Sequence, residues 1–401
     1  MTTTTESRSR NALVIGVTIL AALIAVGLVV WLLTRGDNGV SRASPTPTAS
    51  ASASEDATAS PTTAETPAPP TAWNWELHEL PGGPIRGAAR IGDLWVALDG
   101  VEAWTSTDAV GWEPATVDDT PPGDGTMFMG PVAALGDAYY SIGNWFGLGD
   151  AVQPVIWRSA DGTEWTQVAP SDEWGYVFAN DVATDGSQLA FAANEHDFGL
   201  GHVWTSTDGA TWTERTSDGG PSTMNAIHGD ADGFVSVGYR LDQDGNSLPT
   251  IWHSADGESW TDAQLPAKDD PVSLLDVVRL PGGRYVALGV VGVQIDAGAY
   301  LTWYADDPST WTEATELAGG NLPGLLLATD SGVMAITGTL EGPAVRFSAD
   351  GTTWEELPSF IRPDRLARAT AAATDGSTVI ILGGTDEADA HFVWLATPIT
   401  D

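Results

Sequence analysis

The chain predicts an all-β fold, a seven-bladed β-propeller of four-stranded antiparallel blades, and three observations support that reading. The phrase Trp204-Thr-Ser206-Thr-Asp208-Gly209-Ala-Thr-Trp212 occurs in six copies. Their Asp residues step by 53, 47, 48, 51 and 43 positions, the range of a four-stranded blade rather than of a helical solenoid. A seventh strand phrase, His391-Phe-Val-Trp394-Leu395, follows Arg346 by 48 residues at its Trp and has no turn motif behind it.

The copies are Trp104/Ser106/Asp108/Trp112, Trp157/Ser159/Asp161/Trp165, Trp204/Ser206/Asp208/Trp212, Trp252/Ser254/Asp256/Trp260, Trp303/Ala305/Asp307/Trp311 and Arg346/Ser348/Asp350/Trp354. Asp-Gly suits a tight connection that needs positive φ, and the Ser and Asp oxygens can accept turn N–H groups. Ala109 and Pro308 replace the glycine in two copies, which predicts looser turns there. The tryptophans supply large apolar faces to fill the space between sheets.

Before the repeats, residues 1–11 form a short tail and 12–33 an uncharged apolar run flanked by Arg8, Arg10 and Arg35. Its length suits a bilayer-spanning helix and exceeds the apolar core of a cleavable signal. Flanking charge hardly sets the orientation. The brevity of the tail and the acidic cargo favour a cytoplasmic N-terminus, with the propeller outside a cell membrane. Residues 34–72 are rich in Ser, Thr, Ala and Pro and cannot bury a core. At about 3 Å per residue they would form a stalk reaching roughly 100 Å.

Residues 73–401 form the propeller. In the fourth blade, strands a to d are expected at Asn225–Gly229, Gly233–Tyr239, Thr250–Ser254 and Ser259–Gln264. The seventh blade has strands near Ala369–Ala373, Thr378–Leu382 and His391–Leu395 and then ends. Trp75-Glu-Leu-His-Glu-Leu-Pro81 has the spacing of Trp260-Thr-Asp-Ala-Gln-Leu-Pro266 and supplies the missing strand d. Such closure protects exposed strand edges.

Charge is the strongest compositional feature, with 16 Lys and Arg against 54 Asp and Glu, a net of −38. Such a surface repels nucleic acid and anionic lipid. No cysteine is present, which removes disulfides, a thiol nucleophile and thiolate metal sites. The six histidines lack H-x-x-x-H spacing, and Asp242-Gln-Asp244-Gly-Asn246 lacks the distal Glu of an EF-hand loop. No metal, cofactor or catalytic residue is assigned.

The zig-zag of strands puts a–b hairpins and turn motifs on one face, and the b–c loops and d–a links on the other, the mouth, where propeller sites generally lie. Arg86, Arg240, Arg362 and Arg365 map to the mouth, as do the aromatics Trp145, Phe146, Trp174, Tyr176 and Phe198. Guanidinium forks bind carboxylates, and indole faces stack on sugars. Arg86, Arg362 and Arg365 should cluster, Arg240 should lie across the ring, and Trp145 and Trp174 should flank the opposite side. Charge balancing and blade-top packing are the competing roles for these residues.

Ser-x-Asp-Gly-x-x-Trp resembles the Asp-box of the BNR-repeat propellers, a superfamily that includes sialidases and sortilin-type receptors. The resemblance covers about residues 73–401 and makes Ser106, Asp108, Trp112, Ser159, Asp161, Trp165, Ser206, Asp208, Trp212, Ser254, Asp256, Trp260, Asp307, Trp311, Ser348, Asp350 and Trp354 structural turn residues. It implies a site on the face remote from those turns. Sialidases in the superfamily bear an Arg-Ile-Pro phrase, an Arg triad and a Tyr–Glu pair. Here Ile85-Arg86-Gly87 stands at the corresponding place without Ile-Pro. The leading functional reading is a membrane-anchored extracytoplasmic module binding protein or glycan. The alternative is a BNR-type glycoside hydrolase.

Overall fold

The computed structural model describes residues 69–70, 72–83, 85–148, 151–168, 174, 176–195, 200–216, 222–267, 270–292, 299–319, 321–339, 342–358, 360, 367–385 and 391–399. The expected tail, membrane span and nearly all of the linker lie outside them. Among the described residues no helix is long and apolar enough to cross a membrane.

The described strands form seven antiparallel sheets, each one blade. Their innermost strands, a, are Ile85–Ile91, Gly125–Phe128 continued by Val132–Leu135, Val177–Thr184, Ser222–Asp230, Val272–Arg279, Asn321–Thr329 and Ala367–Thr374. Each lies against strand a of the next blade, and the last lies against the first, so the ring is closed. Seven apolar clusters occupy the seven seams between blades. Strand-c tryptophans anchor several of them, with Trp157, Trp252, Trp303 and Trp394 fully buried.

The seventh sheet closes as its sequence requires. Ala72–Leu80 pairs with His391–Ile399 over nine residues, from Ala72 opposite Ile399 to Leu80 opposite His391. Trp73 and Trp75 from this first strand are buried between blades 6 and 7. The outer strand of the fourth blade is shorter than its sequence pattern suggests. In the fourth blade only Thr261–Asp262 remains as strand d, because Gln264 has left strand c to bridge Thr310 of the next blade. The same departure adds Thr116–Val117 of blade 1 in parallel to Glu164–Val168, the outer strand of blade 2. Blades 4 and 5, and blades 1 and 2, are thus laced together along the rim as well as packed face to face.

The turn motifs show the expected hydrogen bonding. Ser206 Oγ accepts the Gly209 N–H at 2.8 Å, and Asp208 Oδ1 accepts the N–H groups of Ala210 and Thr211 at 2.8 and 2.7 Å. Two turns depart from expectation. Ala109 is not in a looser turn: it adopts φ of 62°, and Asp108 Oδ1 still accepts the N–H groups of Val110 and Gly111 at 2.9 Å. Pro308 cannot take positive φ. There the ladder runs on to Asp307 opposite Thr310, and the turn is a shorter one.

Three of the turns pack on the a–b hairpin side of the preceding blade. Tyr140 Oη donates to the Asp208 carbonyl, Gln188 to that of Asp256 and Arg284 to that of Asp350. Turn motifs and a–b hairpins therefore share one face, which leaves the b–c loops and d–a links to form the mouth.

Candidate functional site

The inner strands share an irregularity that shapes the channel side of the mouth. Pairing of strand a with strand b shifts register at Arg86, Asn180, Asn225, Leu275 and Thr370, and at Leu322–Pro323, while in blade 2 strand a breaks between Phe128 and Val132. A bulge adds twist and turns a side chain out of the ladder. In blades 3 and 4 the extra residue is Asn, whose amide donates to a carbonyl of the next inner strand: Asn180 to Met224 and Asn225 to Leu274, both at 2.6 Å. In blade 1 it is Arg86.

Arg86 stacks over the Phe128 ring with its guanidinium carbon 4.3 Å from the centroid. Phe128 meets Phe146 edge-on at 5.8 Å, and Phe146 meets Phe178 at 5.8 Å. These four side chains run across the tops of blades 1, 2 and 3. Each ring is half-buried and Arg86 is exposed along one side. Burial by the surrounding strands pulls the Arg86 guanidinium below its ordinary value, and Asp99 pushes it back up. Asp99 acts from beyond ion-pair distance, and its own carboxyl is pushed up by burial while it accepts the Gly83 N–H.

Arg86 is set apart from most of the other described arginines. Arg215 pairs with Glu258, Arg279 with Asp230 and Asp232, Arg284 with Asp306 and Arg346 with Glu356. Arg240 rests on Trp252 at 5.3 Å and makes a two-pronged pair with Asp262, one arm at 2.9 Å. Its charge is balanced across strands b, c and d of blade 4.

The remaining predicted residues separate by location. Trp145 lies in strand b, which continues to Gly147, and not in a loop; its ring is enclosed by Gly123, Gly125 and Gly147, where added Cβ atoms would come within 3.3, 2.6 and 2.2 Å. Its exposed surface is correspondingly limited, and it packs on the seam between blades 1 and 2. Trp174 is 3 % exposed and meets Phe191 edge-on at 6.3 Å. It is a packing residue between blades 2 and 3 and offers no face to a ligand. Arg362 and Arg365 lie outside the described residues, as does Phe198, so their proximity to Arg86 is not described. Among the described residues no group of three or more His, Asp or Glu is placed to hold a metal ion.

Sequence reasoning passed over two carboxylates. Asp181 and Asp276 occupy equivalent places beside the bulges of blades 3 and 5. Each accepts the next N–H of its own strand, from Val182 at 2.8 Å or Val277 at 2.7 Å, and an N–H of the following blade, from Ile227 at 2.9 Å or Leu326 at 2.7 Å. Burial pushes both carboxyls up to about 7 despite those N–H groups, and Asp181 adds to the rise at Asp276. A readable signal existed: Asp in the middle of an apolar strand is disfavoured unless its oxygens have partners.

No family profile matches the sequence, and no curated protein matches it. Solved structures do share the architecture. The structure described as YCF48 bound to D1 peptide is 16 % identical, with a TM-score of 0.55, and the match covers 84 % of this chain and 100 % of that one. Virginiamycin B lyase from Staphylococcus aureus is 10 % identical with a TM-score of 0.55, covering 82 % and 100 %. A protein of unknown function from Dyadobacter fermentans is 16 % identical with a TM-score of 0.50, covering 67 % and 93 %. The chain is a seven-bladed β-propeller. At these identities the likeness shows the fold alone.

Proposed function

We propose that this propeller is a membrane-anchored, extracytoplasmic module that binds a protein or glycan at its mouth. The observation that supports it most directly is the row Arg86, Phe128, Phe146 and Phe178, where a cation without an ion-paired carboxylate among the described residues meets three partly open rings in a strongly acidic domain. A guanidinium stacked on a ring keeps its N–H edges for an incoming carbonyl or carboxylate, and open aromatic faces add apolar contact. The six copies of the turn motif, four of them Ser-x-Asp-Gly, favour kinship with the Asp-box propellers. The peptide bound to YCF48 is in keeping with a polypeptide ligand on such a ring.

Anchoring is supported by the apolar run at 12–33, and reach by the Ser/Thr/Ala/Pro-rich stretch at 34–72. Protease added to intact cells should remove the propeller and leave the N-terminal segment with the membrane; a propeller that stays protected would place it on the other side. For the site, the full-length chain would be presented to arrays of peptides and of glycans. Arg86→Ala should weaken the retained class about tenfold, a loss of about 1.4 kcal/mol, without lowering the melting temperature. Turnover of fluorogenic glycosides, sialosides included, that disappears in Arg86→Ala would instead make the chain a BNR-type glycoside hydrolase.

A further inference from the structure

The described residues include six exposed large apolar side chains, and four of them stand on the mouth of three consecutive blades. Leu148 is 79 % exposed, Tyr176 67 %, Leu248 43 % and Leu200 36 %. Backbone and ring contacts link them in one line. Leu148 follows Phe146 by two residues and Tyr176 precedes Phe178 by two, and those rings touch across the seam of blades 2 and 3. Val177, next to Tyr176, is opposite Glu195, which exchanges hydrogen bonds with Leu200: the Glu195 N–H donates to the Leu200 carbonyl, and the Leu200 N–H donates to the Glu195 carboxylate. The Gly201 N–H then donates to Ser222 Oγ, and Ser222 pairs with Arg240, which pairs with Leu248. Isolated surface leucines need no explanation, but a run along one rim marks an interaction surface.

Charge selects the partner. Asp124, Glu195 and Asp242 stand on the same rim of blades 2 to 4, and two basic groups described there are already engaged: Arg240 with Asp262, and His202 between Glu195 and Glu214. The domain behind that rim is heavily acidic throughout. An apolar line in such a field repels anionic chains and anionic membranes and attracts cationic ones.

We infer that the mouth of blades 2 to 4 docks a basic polypeptide segment whose leucine-type or aromatic side chains lie along Leu148, Tyr176, Leu200 and Leu248. This rests on the binding-module reading and narrows it from protein or glycan to a cationic, amphipathic chain. Arg86 lies at the blade 1 end of the line and would meet a backbone carbonyl or the end of that chain.

The test is equilibrium binding of the full-length chain to a Lys/Leu peptide, a Glu/Leu peptide, neutral cellulose-derived oligosaccharides and phosphatidylcholine vesicles. The Lys/Leu peptide should bind and weaken with added salt. Leu148→Glu and Leu148→Lys both remove the apolar contact from a site exposed enough to leave melting unchanged, but they differ in charge. Leu148→Lys should lose about tenfold in affinity, and Leu148→Glu several-fold less than that. Peptide binding indifferent to Leu148 overturns the inference, as non-specific attraction to an acidic protein. Binding only of the Glu/Leu peptide, the oligosaccharide or the vesicles overturns it too, while a mouth-binding module survives if Arg86→Ala abolishes the retained interaction. No binding to any probe rejects the inference and counts against the module reading as well.

Discussion

Ala109 holds φ of 62° where glycine stands at φ of 87°, 69°, 72° and 76° in the turns of Gly162, Gly209, Gly257 and Gly351. The neighbour explains the choice. A Cβ on Gly209 would sit 2.1 Å from the Tyr140 ring, and one on Gly351 2.4 Å from Val286. The Ala109 methyl instead is buried in the seam of blades 7 and 1, in the cluster that holds Ile380. Left-handed backbone costs a non-glycine residue about 1–2 kcal/mol, and burying a methyl group offsets about 0.8 kcal/mol of it. Ala109→Gly should therefore shift stability by less than about 1 kcal/mol. Gly209→Ala adds the same strain to a collision and should cost about 2–4 kcal/mol. Chemical denaturation of both variants checks this, and equal midpoints would mean that packing on the preceding blade does not decide the residue. Asp208→Ala releases the N–H groups of Ala210 and Thr211 at an exposed turn, where water can replace the lost acceptor. The expected loss is about 1 kcal/mol, near the low end for a hydrogen bond, with ligand binding at the mouth retained.

At the scale of elements, the inner strands carry the charge that the repeat pattern conceals. Asp181 and Asp276 are pushed by burial to about 7, so the folded chain keeps protons between about pH 4 and 7 that the unfolded chain has released. Rising pH through that window therefore lowers stability, and Asp99, also raised by burial, acts in the same direction. The turn carboxylates oppose this at the acid end. The N–H groups of Thr211 and Ala210 hold Asp208 at about 2, so its contribution is present above the ordinary carboxylate value and is lost as pH falls towards 2. Urea midpoints should peak on the acid side of neutrality and decline from about pH 4 to 7. Asp181→Asn with Asp276→Asn should flatten that decline while lowering stability overall, since one amide cannot accept at both ends. A decline undiminished by the double substitution would assign it to other groups. The strand patterns showed where blades begin, because Trp and Asp-Gly recur at a fixed offset. They could not show that strand d shortens to Thr261–Asp262 or that Thr116–Val117 crosses to its neighbour, since both depend on contacts between blades.

Across the whole molecule, ring closure was legible because the seventh blade lacks a strand that the region's first segment matches in spacing, and the pairing of Ala72–Leu80 with His391–Ile399 shows it. The mouth was less legible. Arg240 and Arg86 look alike in sequence, yet a carboxylate two strands away neutralises one and an inward bulge frees the other for Phe128. Trp174 looked like a link residue and turns back into the core against Phe191. Closure has the more decisive consequence. Removing residues 1–70 takes away none of the described strands, so the remaining chain should melt as the full chain does. Removing residues through Pro81 strips His391–Ile399 of nine paired residues and takes Trp73, Trp75 and Leu80 out of two seams. Burial of a large side chain is worth roughly 1.5–3 kcal/mol, so three together approach the whole stability of a typical domain. The bared edge is also a template for intermolecular pairing. The longer truncation should therefore aggregate or melt far lower, and adding Ala72–Pro81 back as a peptide should partly restore solubility. Equal melting of the two truncations would show that the first strand does not hold the ring together.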